Sequence, residues 1–476
     1  MARALRDTPW PVLLLLASFL CPNELSVYVG SVRLPPHRAL LLILLPLALI
    51  RLLGSGGSRI MAFDYAMLGF GGWTMVSYLV HHGMADGLQP GGAMTLDSFA
   101  SFLVARAYVP DQRRFEATAG MLFLAVMIAG LVALPEMLTG QFYIHALMAQ
   151  LTGHVHPTGV ETRLGLTRAF GTFDHPIHLG TFCAAGLALS VYTARGATSW
   201  VRGLVIPASA LTGLSSAPML SIAVQSGLIL AERATRGIKS RVPIGASLIT
   251  GLFLVASLIA TRSPFAVIAT GFTLDSWTGY YRLLIWENGL ANVWANPLFG
   301  IGLNDWERPQ WMASPTVDAF WLVIAMRNGI PAFLLLVLVV FLLVRGVGGA
   351  VRLRDEQVQQ HAKGWIISLV ALVLVGCTVH YWNVPYAFFF FFLGMGACFS
   401  SAARAPQTAR VQAKGERQDS RLQWLAPAPA YASAMATVPP WADGPPAWPV
   451  PVVAPKGGSG PASLHGKLSR RSIVSG

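Results

Sequence analysis

The 476-residue chain contains little charge, since aspartate, glutamate, lysine and arginine together supply only 12% of its residues. Soluble globular chains carry about 25%, so an ordinary soluble enzyme is excluded. Cysteine is scarce too. The four cysteines lie in or beside apolar segments without metal-binding spacing, which argues against a zinc site and a disulfide framework. The sequence also has no heptads and no repeat of about 20–50 residues, which excludes coiled-coil and solenoid architectures.

Hydrophobic residues are abundant, at 54% of the chain with a mean hydropathy of +0.56. They occur in long blocks separated by short basic loops. This arrangement is typical of a polytopic membrane protein, because a spanning helix needs about 20 apolar residues. The net charge of +13 is then explained by basic cytoplasmic loops rather than by nucleic-acid binding.

The apolar segments predict an all-α membrane protein of about twelve transmembrane helices. They lie near 9–22, 39–53, 61–80, 97–110, 117–134, 177–193, 203–213, 217–231, 244–261, 329–345, 364–380 and 385–400. The first segment lacks a small-x-small cleavage site, so we interpret it as an uncleaved span. Both flanks of 203–231 are basic, which predicts two spans joined by a tight turn near Ser215-Ser216.

Most lysines and arginines fall on one side of this topology, which places both termini in the cytoplasm. Residues 1–400 form the predicted membrane domain, with two large outer loops at about 135–176 and 262–328. The remaining segment, 401–476, is rich in proline and alanine and is basic, so we expect a disordered cytoplasmic tail.

The first outer loop ends in a cluster of candidate functional residues. Arg163 and Arg168 precede Gly171-Thr172-Phe173, and His175-Pro176 stands directly before an apolar span. A guanidinium presents a planar set of donors suited to phosphate oxygens. The alternative is an arginine that only sets topology or reaches the interface. Since the positive-inside rule disfavours arginine on the outer side, these two residues need a local reason.

The second outer loop contains three further elements. Arg282 and Trp286 lie at i, i+4 on a short predicted amphipathic helix, and the glycines of Asn296-Pro297-Leu298-Phe299-Gly300-Ile301-Gly302 allow close backbone approach. Only one crossing fits between 318 and 345. We therefore expect 318–328 to form a separate helix at the outer interface.

Together these segments resemble the bacterial O-antigen ligase and polysaccharide polymerase family. The similarity rests on Arg168 with Gly-Thr-Phe and His-Pro, on Arg282 followed by Asn-Pro-Leu-Phe-Gly-Ile-Gly, and on the helix ending at Gly329. It covers about residues 160–345. The resemblance implies a twelve-helix inner-membrane glycosyltransferase that uses undecaprenyl-pyrophosphate-linked glycans at the periplasmic face. Family members usually have a histidine where this chain has Asp318.

The resemblance implies that Arg168 and Arg282 contact the donor pyrophosphate. Asp318 would accept the proton of the attacking hydroxyl or orient that hydroxyl. We expect an inverting transfer without metal or cofactor, because pyrophosphate is already a good leaving group. Further substrate-binding candidates are Arg163, His175, Trp286 and Asp305. The expected partners are the lipid-linked glycan, membrane lipid and other polysaccharide-assembly proteins, with no nucleic acid.

Several alternatives stay open at this point. The enzyme could polymerise exopolysaccharide or O-antigen repeats, or ligate the glycan to a lipid or protein acceptor. A transporter or flippase, or a structural subunit, are alternatives of other classes. The histidines His145, His154 and His156 are either solvated or a metal site. Asp64 is either a functional carboxylate or a helix cap, and Phe388–Phe392 faces either lipid or the core.

Overall fold

A computed structural model describes residues 2–30, 32–54, 59–156, 158–235, 276–312, 314–353 and 355–404. The structure is 74% helix, and the described ranges contain no closed sheet. The predicted tail overlaps them only at 401–404, where the last helix continues past the expected boundary at 400. The predicted span 244–261 and the start of the second outer loop lie outside the described residues.

The elements are named here in chain order. The helices are α1 Ala2–Asp7, α2 Trp10–Phe19, α3 Pro36–Leu53, α4 Ala62–Thr95, α5 Ser101–Tyr108, α6 Gln112–Thr139, α7 Tyr143–Thr152, α8 Pro176–Ala185, α9 Leu187–Thr193, α10 Ala197–Leu211, α11 Ser216–Ala234, α12 Ser276–Ala295, α13 Phe320–Val351, α14 Glu356–Val375 and α15 Val384–Arg404. A π-helical turn, Leu96–Ala100, joins α4 to α5. Two small antiparallel hairpins pair β1 Val27–Val29 with β2 Val32–Leu34, and β3 Thr162–Arg163 with β4 Leu166–Thr167.

Among the described residues, five helical stretches are long and apolar enough to cross a membrane. They are Pro36–Leu53, Gln112–Thr139, Pro176–Thr193, Phe320–Val351 and Glu356–Val375. Every predicted apolar segment other than 244–261 coincides with helix. The helical class is therefore confirmed, whereas the number of twelve crossings stays a prediction.

Helix α15 occupies the centre of the helical core, where it contacts α5 and α13. The five consecutive rings of Phe388–Phe392 are at most 2% exposed. Trp365 of α14 stacks on Phe392 with ring centroids 5.8 Å apart, and its indole donates to the Phe392 carbonyl. Of the two interpretations of the phenylalanine run, the structure therefore shows the core-facing one.

Asp64 lies at the start of α4, where it caps the helix and neutralises a buried arginine. Its carboxylate accepts from the Met61 amide at 2.8 Å and forms an ion pair with Arg106 at 3.2 Å. Both contacts hold the start of α4 in place. The contacts thus match the helix-cap interpretation of Asp64 rather than the functional one.

Two long helices that pack against each other, α4 and α13, are each interrupted at a glycine. Gly83 in α4 has φ +66°, and Gly329 in α13 has φ +84°. The second interruption separates a short helix, 320–328, from the long segment that follows. This division matches the separate helix predicted over 318–328.

The turn Asn296–Gly302 lies against the interruption in α13 and bonds to both sides of it. The Gly302 amide donates to the Arg327 carbonyl at 3.0 Å, and the Ile330 amide donates to the Pro297 carbonyl at 2.8 Å. The turn therefore satisfies backbone groups that the broken helix leaves without intrahelical partners.

The approach of these two segments is too close for side chains. A Cβ on Gly329 would lie 1.9 Å from the Leu298 carbonyl oxygen, and one on Gly300 would lie 2.5 Å from the Arg327 backbone. Both glycines also have positive φ, which L-residues adopt at a cost. The expected close backbone approach of this motif is confirmed.

Candidate functional site

The β3–β4 hairpin presents the arginines of the first outer loop. Its tight turn at Leu164-Gly165 has φ +54° and +77°. The Arg168 amide donates to the Glu161 carbonyl at 2.9 Å, so these two residues face each other across the hairpin. The hairpin thereby fixes the backbone position from which the Arg168 side chain extends.

The turn between α10 and α11 holds both arginine side chains. The Arg168 Nε donates to the Gly213 carbonyl at 3.4 Å, and an Arg163 nitrogen donates to the Leu214 carbonyl at 3.2 Å. The turn lies next to the position predicted at Ser215-Ser216. Its contact with the hairpin was not expected from the sequence.

Arg168 is buried and incompletely paired. Its side chain is 4% exposed, and one guanidinium nitrogen forms an ion pair with the Glu161 carboxylate. The other terminal nitrogen, Nη2, is buried and has no hydrogen-bond partner among the described residues. A buried donor without a partner is costly. Arg168 therefore retains unused hydrogen-bond donor capacity.

Arg282 on α12 shows the same combination. It is 8% exposed, and its Nε is buried without a partner in the described part of the chain. Burial lowers the pKa of Arg282, Asp318 opposes this shift, and Arg163 adds to it. Arg163 and Arg282, from the two predicted outer loops, therefore lie within range of each other's charge.

Asp318 stands just before the short helix 320–328 and is half-buried. Burial raises the pKa of its carboxyl group, while Arg282 acts in the opposite direction. The first amide of the helix, on Phe320, is occupied by the Val379 carbonyl at 3.0 Å. Asp318 thus faces a cationic neighbour, and its raised pKa makes it a better proton acceptor than an ordinary aspartate.

His175 caps α8, with Pro176 in the first helical turn. Its Nδ1 accepts from the Ile177 amide at 3.1 Å, which leaves Nε2 as a donor. Burial, reinforced by Arg168, lowers the pKa of His175 to about 4. The residue is therefore neutral near pH 7 and suited to donating a hydrogen bond.

A polar cavity of about 470 Å³ adjoins this cluster. It is lined by Glu161 and His175 together with Arg33, His156, Gly159, Phe170, Asp174, Pro176, Trp382 and Asn383. Carboxylates, amides and an aromatic ring at one place suit the hydroxyl groups and apolar faces of a polar organic ligand.

Two of the predicted substrate-binding residues do not line the polar cavity. Trp286 donates from its indole to the Cys377 carbonyl at 2.9 Å and lines an apolar cavity. Asp305 pairs with Arg308 at 2.6 Å, and its side chain is 65% exposed. The structure brings Arg163, Arg168 and His175 together, with Arg282 and Asp318 nearby, but gives Trp286 and Asp305 other neighbours.

Sequence reasoning missed the carboxylates that organise the first loop. Glu161 pairs with Arg168 across the β3–β4 hairpin. The sequence signal for that hairpin was the turn dipeptide Leu164-Gly165 between two short segments of alternating residues. Glu136 of α6 accepts the amides of Phe170 and Gly171 at 3.1 and 2.8 Å. A single carboxylate on an apolar helix carries no signal for such a partner.

Asp174 ties three distant segments together at the same cavity. Its carboxylate accepts from the amide groups of Asn23 and Asn383, both at 2.6 Å. These partners belong to the segment after α2 and the segment before α15. The contacts fix the cavity wall, and no local pattern in the sequence indicates them.

The three histidines of the first outer loop do not behave alike. His145 is 4% exposed, is paired with the Glu24 carboxylate and lies with its ring 4.5 Å from that of His156. Only His154 is exposed. The solvated interpretation is therefore wrong for His145. In the described ranges, no group of three or more histidine, cysteine or acidic residues has the geometry to hold a metal ion.

The cluster as a whole combines three guanidinium groups with two carboxylates and a neutral histidine. Such a set can bind an anionic group and accept a proton beside it. A scan against protein-family models and a search of curated proteins both found no match for this chain.

Proposed function

We propose that this protein is an inner-membrane glycosyltransferase that polymerises exopolysaccharide or O-antigen repeat units. Its donor is a glycan linked to undecaprenyl pyrophosphate, used at the periplasmic face. The observation that carries the proposal is the pair of buried arginines, Arg168 and Arg282, each with a buried nitrogen that lacks a partner among the described residues. A pyrophosphate supplies the oxygen acceptors that these donors need.

The proposed reaction is a single displacement at C1 of the donor sugar. A hydroxyl oxygen of the acceptor forms the new bond to C1, and the bond from C1 to the pyrophosphate oxygen breaks. Asp318 takes the hydroxyl proton as its carboxylate becomes a carboxylic acid. Arg168 and Arg282 stabilise the negative charge that grows on the leaving pyrophosphate, with Arg163 as a further cation.

The proposal includes twelve spans with both termini in the cytoplasm. It predicts that a single cysteine at the exposed position Val155 reacts with a membrane-impermeant maleimide in intact cells whose outer membrane has been permeabilised. A single cysteine at Arg352 should react only after lysis. The opposite pattern would overturn both the topology and the proposed side of catalysis.

Substitution of the arginines tests the chemistry. We expect Arg168→Gln and Arg282→Gln each to lower polysaccharide output by at least about a hundredfold, as loss of charge stabilisation in a transition state does. The matched control is Arg308→Gln, which removes an arginine of the second predicted outer loop that contacts Asp305, nearby carbonyls and the Trp306 ring. The measurement is polymer per molecule of membrane-inserted protein, and near wild-type output from both variants would refute the site.

A further inference from the structure

The short helix 320–328 lies between two cavities. One, of about 960 Å³, contacts Val323 and Arg327, and the other, of about 540 Å³, contacts Leu322 and Ala325. Since residues three or four apart share a helix face, the cavities adjoin different faces of this helix. We name the larger one the arginine cavity and the smaller one the tryptophan cavity.

The tryptophan cavity is lined by apolar side chains, including Trp286 and Trp294 of α12. Trp286 lies one helical turn after Arg282. Under the proposed function, this cavity therefore stands beside the donor pyrophosphate and suits the lipid chain of the donor. It leaves the arginine cavity without an assigned ligand.

The arginine cavity has a mostly apolar lining that also includes cations without an ion pair among the described residues. The apolar part includes Leu42 and Leu45 of α3 and several side chains from the second half of α4 and the π-helical turn, among them Leu88, Met94 and Phe99. The polar part includes Arg33, Arg327 and Asn383. A ligand that matches both parts is an amphiphile with an apolar chain and an anionic head.

The charges of this cavity do not cancel. Arg38 also lines it but is paired with Asp97 at 2.6 Å, and Asp86 contributes one carboxylate. Arg33 donates to neutral groups, the hydroxyl of Ser26 and a backbone carbonyl.

Arg327 faces the Tyr78 hydroxyl. In the ranges that the structure describes, no carboxylate forms an ion pair with Arg33 or Arg327. Both guanidinium groups can therefore bind phosphate oxygens.

The arginine cavity adjoins the polar cavity of the candidate site. Arg33 and Asn383 line both. Beyond them the polar cavity reaches Glu161 and His175, the neighbours of Arg168. A sugar attached to a phosphate at Arg33 and Arg327 would thus extend toward the proposed reaction centre. The headgroup of a membrane phospholipid would make no use of that connection.

We propose that the arginine cavity binds the acceptor as a polyprenyl chain that carries a phosphate-linked glycan. This inference rests on the proposed function and makes it more specific, since donor and acceptor then occupy lipid sites on different faces of helix 320–328. The acceptor glycan reaches the donor sugar through the polar cavity. Transfer between two lipid carriers is polymerisation, whereas a protein acceptor would need no such cavity.

The test counts binding sites rather than product. Full-length protein in phosphatidylcholine nanodiscs is titrated with undecaprenyl phosphate, and bound lipid is counted by native mass spectrometry. We expect two bound molecules for the wild type. Arg33→Gln and Arg327→Gln should each weaken one of the two sites by about tenfold, the effect of losing one charge-assisted contact. Arg282→Gln should weaken the other.

A second pair of variants tests the same site by filling the cavity, so that the test does not depend on the arginine variants folding. Gly92 lines the arginine cavity, and a Cβ there would lie 3.7 Å from Met75 of the same cavity, whereas Gly72 of the same helix has nothing within 4 Å. Gly92→Leu should weaken the Arg33-dependent site several-fold, and Gly72→Leu should leave it unchanged. Equal effects of the two would contradict the assignment.

The outcomes separate this inference from the function on which it rests. One bound molecule, sensitive only to Arg282→Gln, would overturn the acceptor site and leave the proposed donor site standing. Two sites of which neither responds to Arg282→Gln would overturn the donor assignment itself. Displacement of the Arg33-dependent molecule by equimolar phosphatidylglycerol would show an ordinary phospholipid site and overturn the inference.

Discussion

Two segments of the outer loops, the arginine hairpin around Arg163–Gly171 and the turn Asn296–Gly302, use their polar groups in opposite ways. In the turn, backbone donors meet carbonyls of the broken helix α13, and glycines allow the contact. In the hairpin, the Arg168 guanidinium is buried with one nitrogen that lacks a partner in the described chain. The turn Asn296–Gly302 thus serves packing, whereas the hairpin retains a hydrogen-bond donor that could bind a ligand.

A sequence motif can therefore mark a site by supporting its architecture, without contacting a ligand. The turn fixes the end of helix 320–328, which begins just after Asp318. Trp73 of α4 also joins the turn to helix 320–328, because its indole donates to the carbonyls of Leu298 and Asn328, both at 3.1 Å. Under the proposed function, the turn contributes by holding the helix that follows Asp318.

The largest expected effect comes from breaking the turn. Gly329→Ala places a methyl group against the Leu298 carbonyl and imposes positive φ on alanine. We expect a loss of about 4 kcal/mol or more, enough to abolish folded protein. The measurement is yield and thermal unfolding in detergent. Gly348→Ala in the same helix, with nothing within 4 Å, is the control, and equal melting of both variants would contradict the architectural role.

A smaller loss of stability should follow from removing the carboxylate that holds the end of the arginine hairpin. Glu136→Ala removes the acceptor of the Phe170 and Gly171 amides and leaves two buried donors unsatisfied. We expect a cost of about 3 kcal/mol in unfolding free energy. Glu136→Gln keeps one acceptor oxygen and should lose less than half as much. The same melting experiment checks this, and the reverse ranking would exclude the hydrogen-bonding explanation.

The pH profile of activity tests the electrostatic coupling between Asp318 and Arg282, both of the second predicted outer loop. Asp318 must be ionised to accept a proton, and its raised pKa means that activity falls as the pH drops through a value above the usual aspartate range, about 3.9. Arg282 lowers that pKa. The residual activity of Arg282→Gln should therefore show its acid limb at higher pH than wild type. Arg308→Gln should leave the limb in place, and a shift toward lower pH in Arg282→Gln would eliminate Asp318 as the base.

The smallest effect concerns the exposed partner of Arg168. The Glu161 side chain is 60% exposed, so Glu161→Gln should change the unfolding free energy by less than about 1 kcal/mol. Because Glu161 competes with an incoming anion for the guanidinium, affinity for a pyrophosphate-containing donor should rise a few-fold. Isothermal titration with undecaprenyl pyrophosphate checks the direction. Weaker binding would instead assign Glu161 to positioning Arg168.

The helices were predictable because a membrane span is a local property, set by the average hydropathy of about 20 consecutive residues. The separate helix over 318–328 followed from the room for only one crossing between 318 and 345, and its end at Gly329 followed from the family resemblance. The contacts of Asp174 with Asn23 and Asn383 did not, since they join residues far apart in the chain. Nor did the burial of His145 against Glu24, which reversed the expectation of a solvated loop histidine.

The apolar helical segments could be predicted from the sequence alone, as could the arginines that stand out on the predicted outer side. Three features became visible only in the folded structure. Arg168 pairs with Glu161, the polar backbone groups of the Asn296–Gly302 turn bond to helix α13, and two cavities adjoin helix 320–328. The physical reason is that hydropathy acts along the chain, whereas the pairing of buried donors depends on which distant segments pack together. In a chain with so little charge, that packing decides which charges are left to bind a ligand.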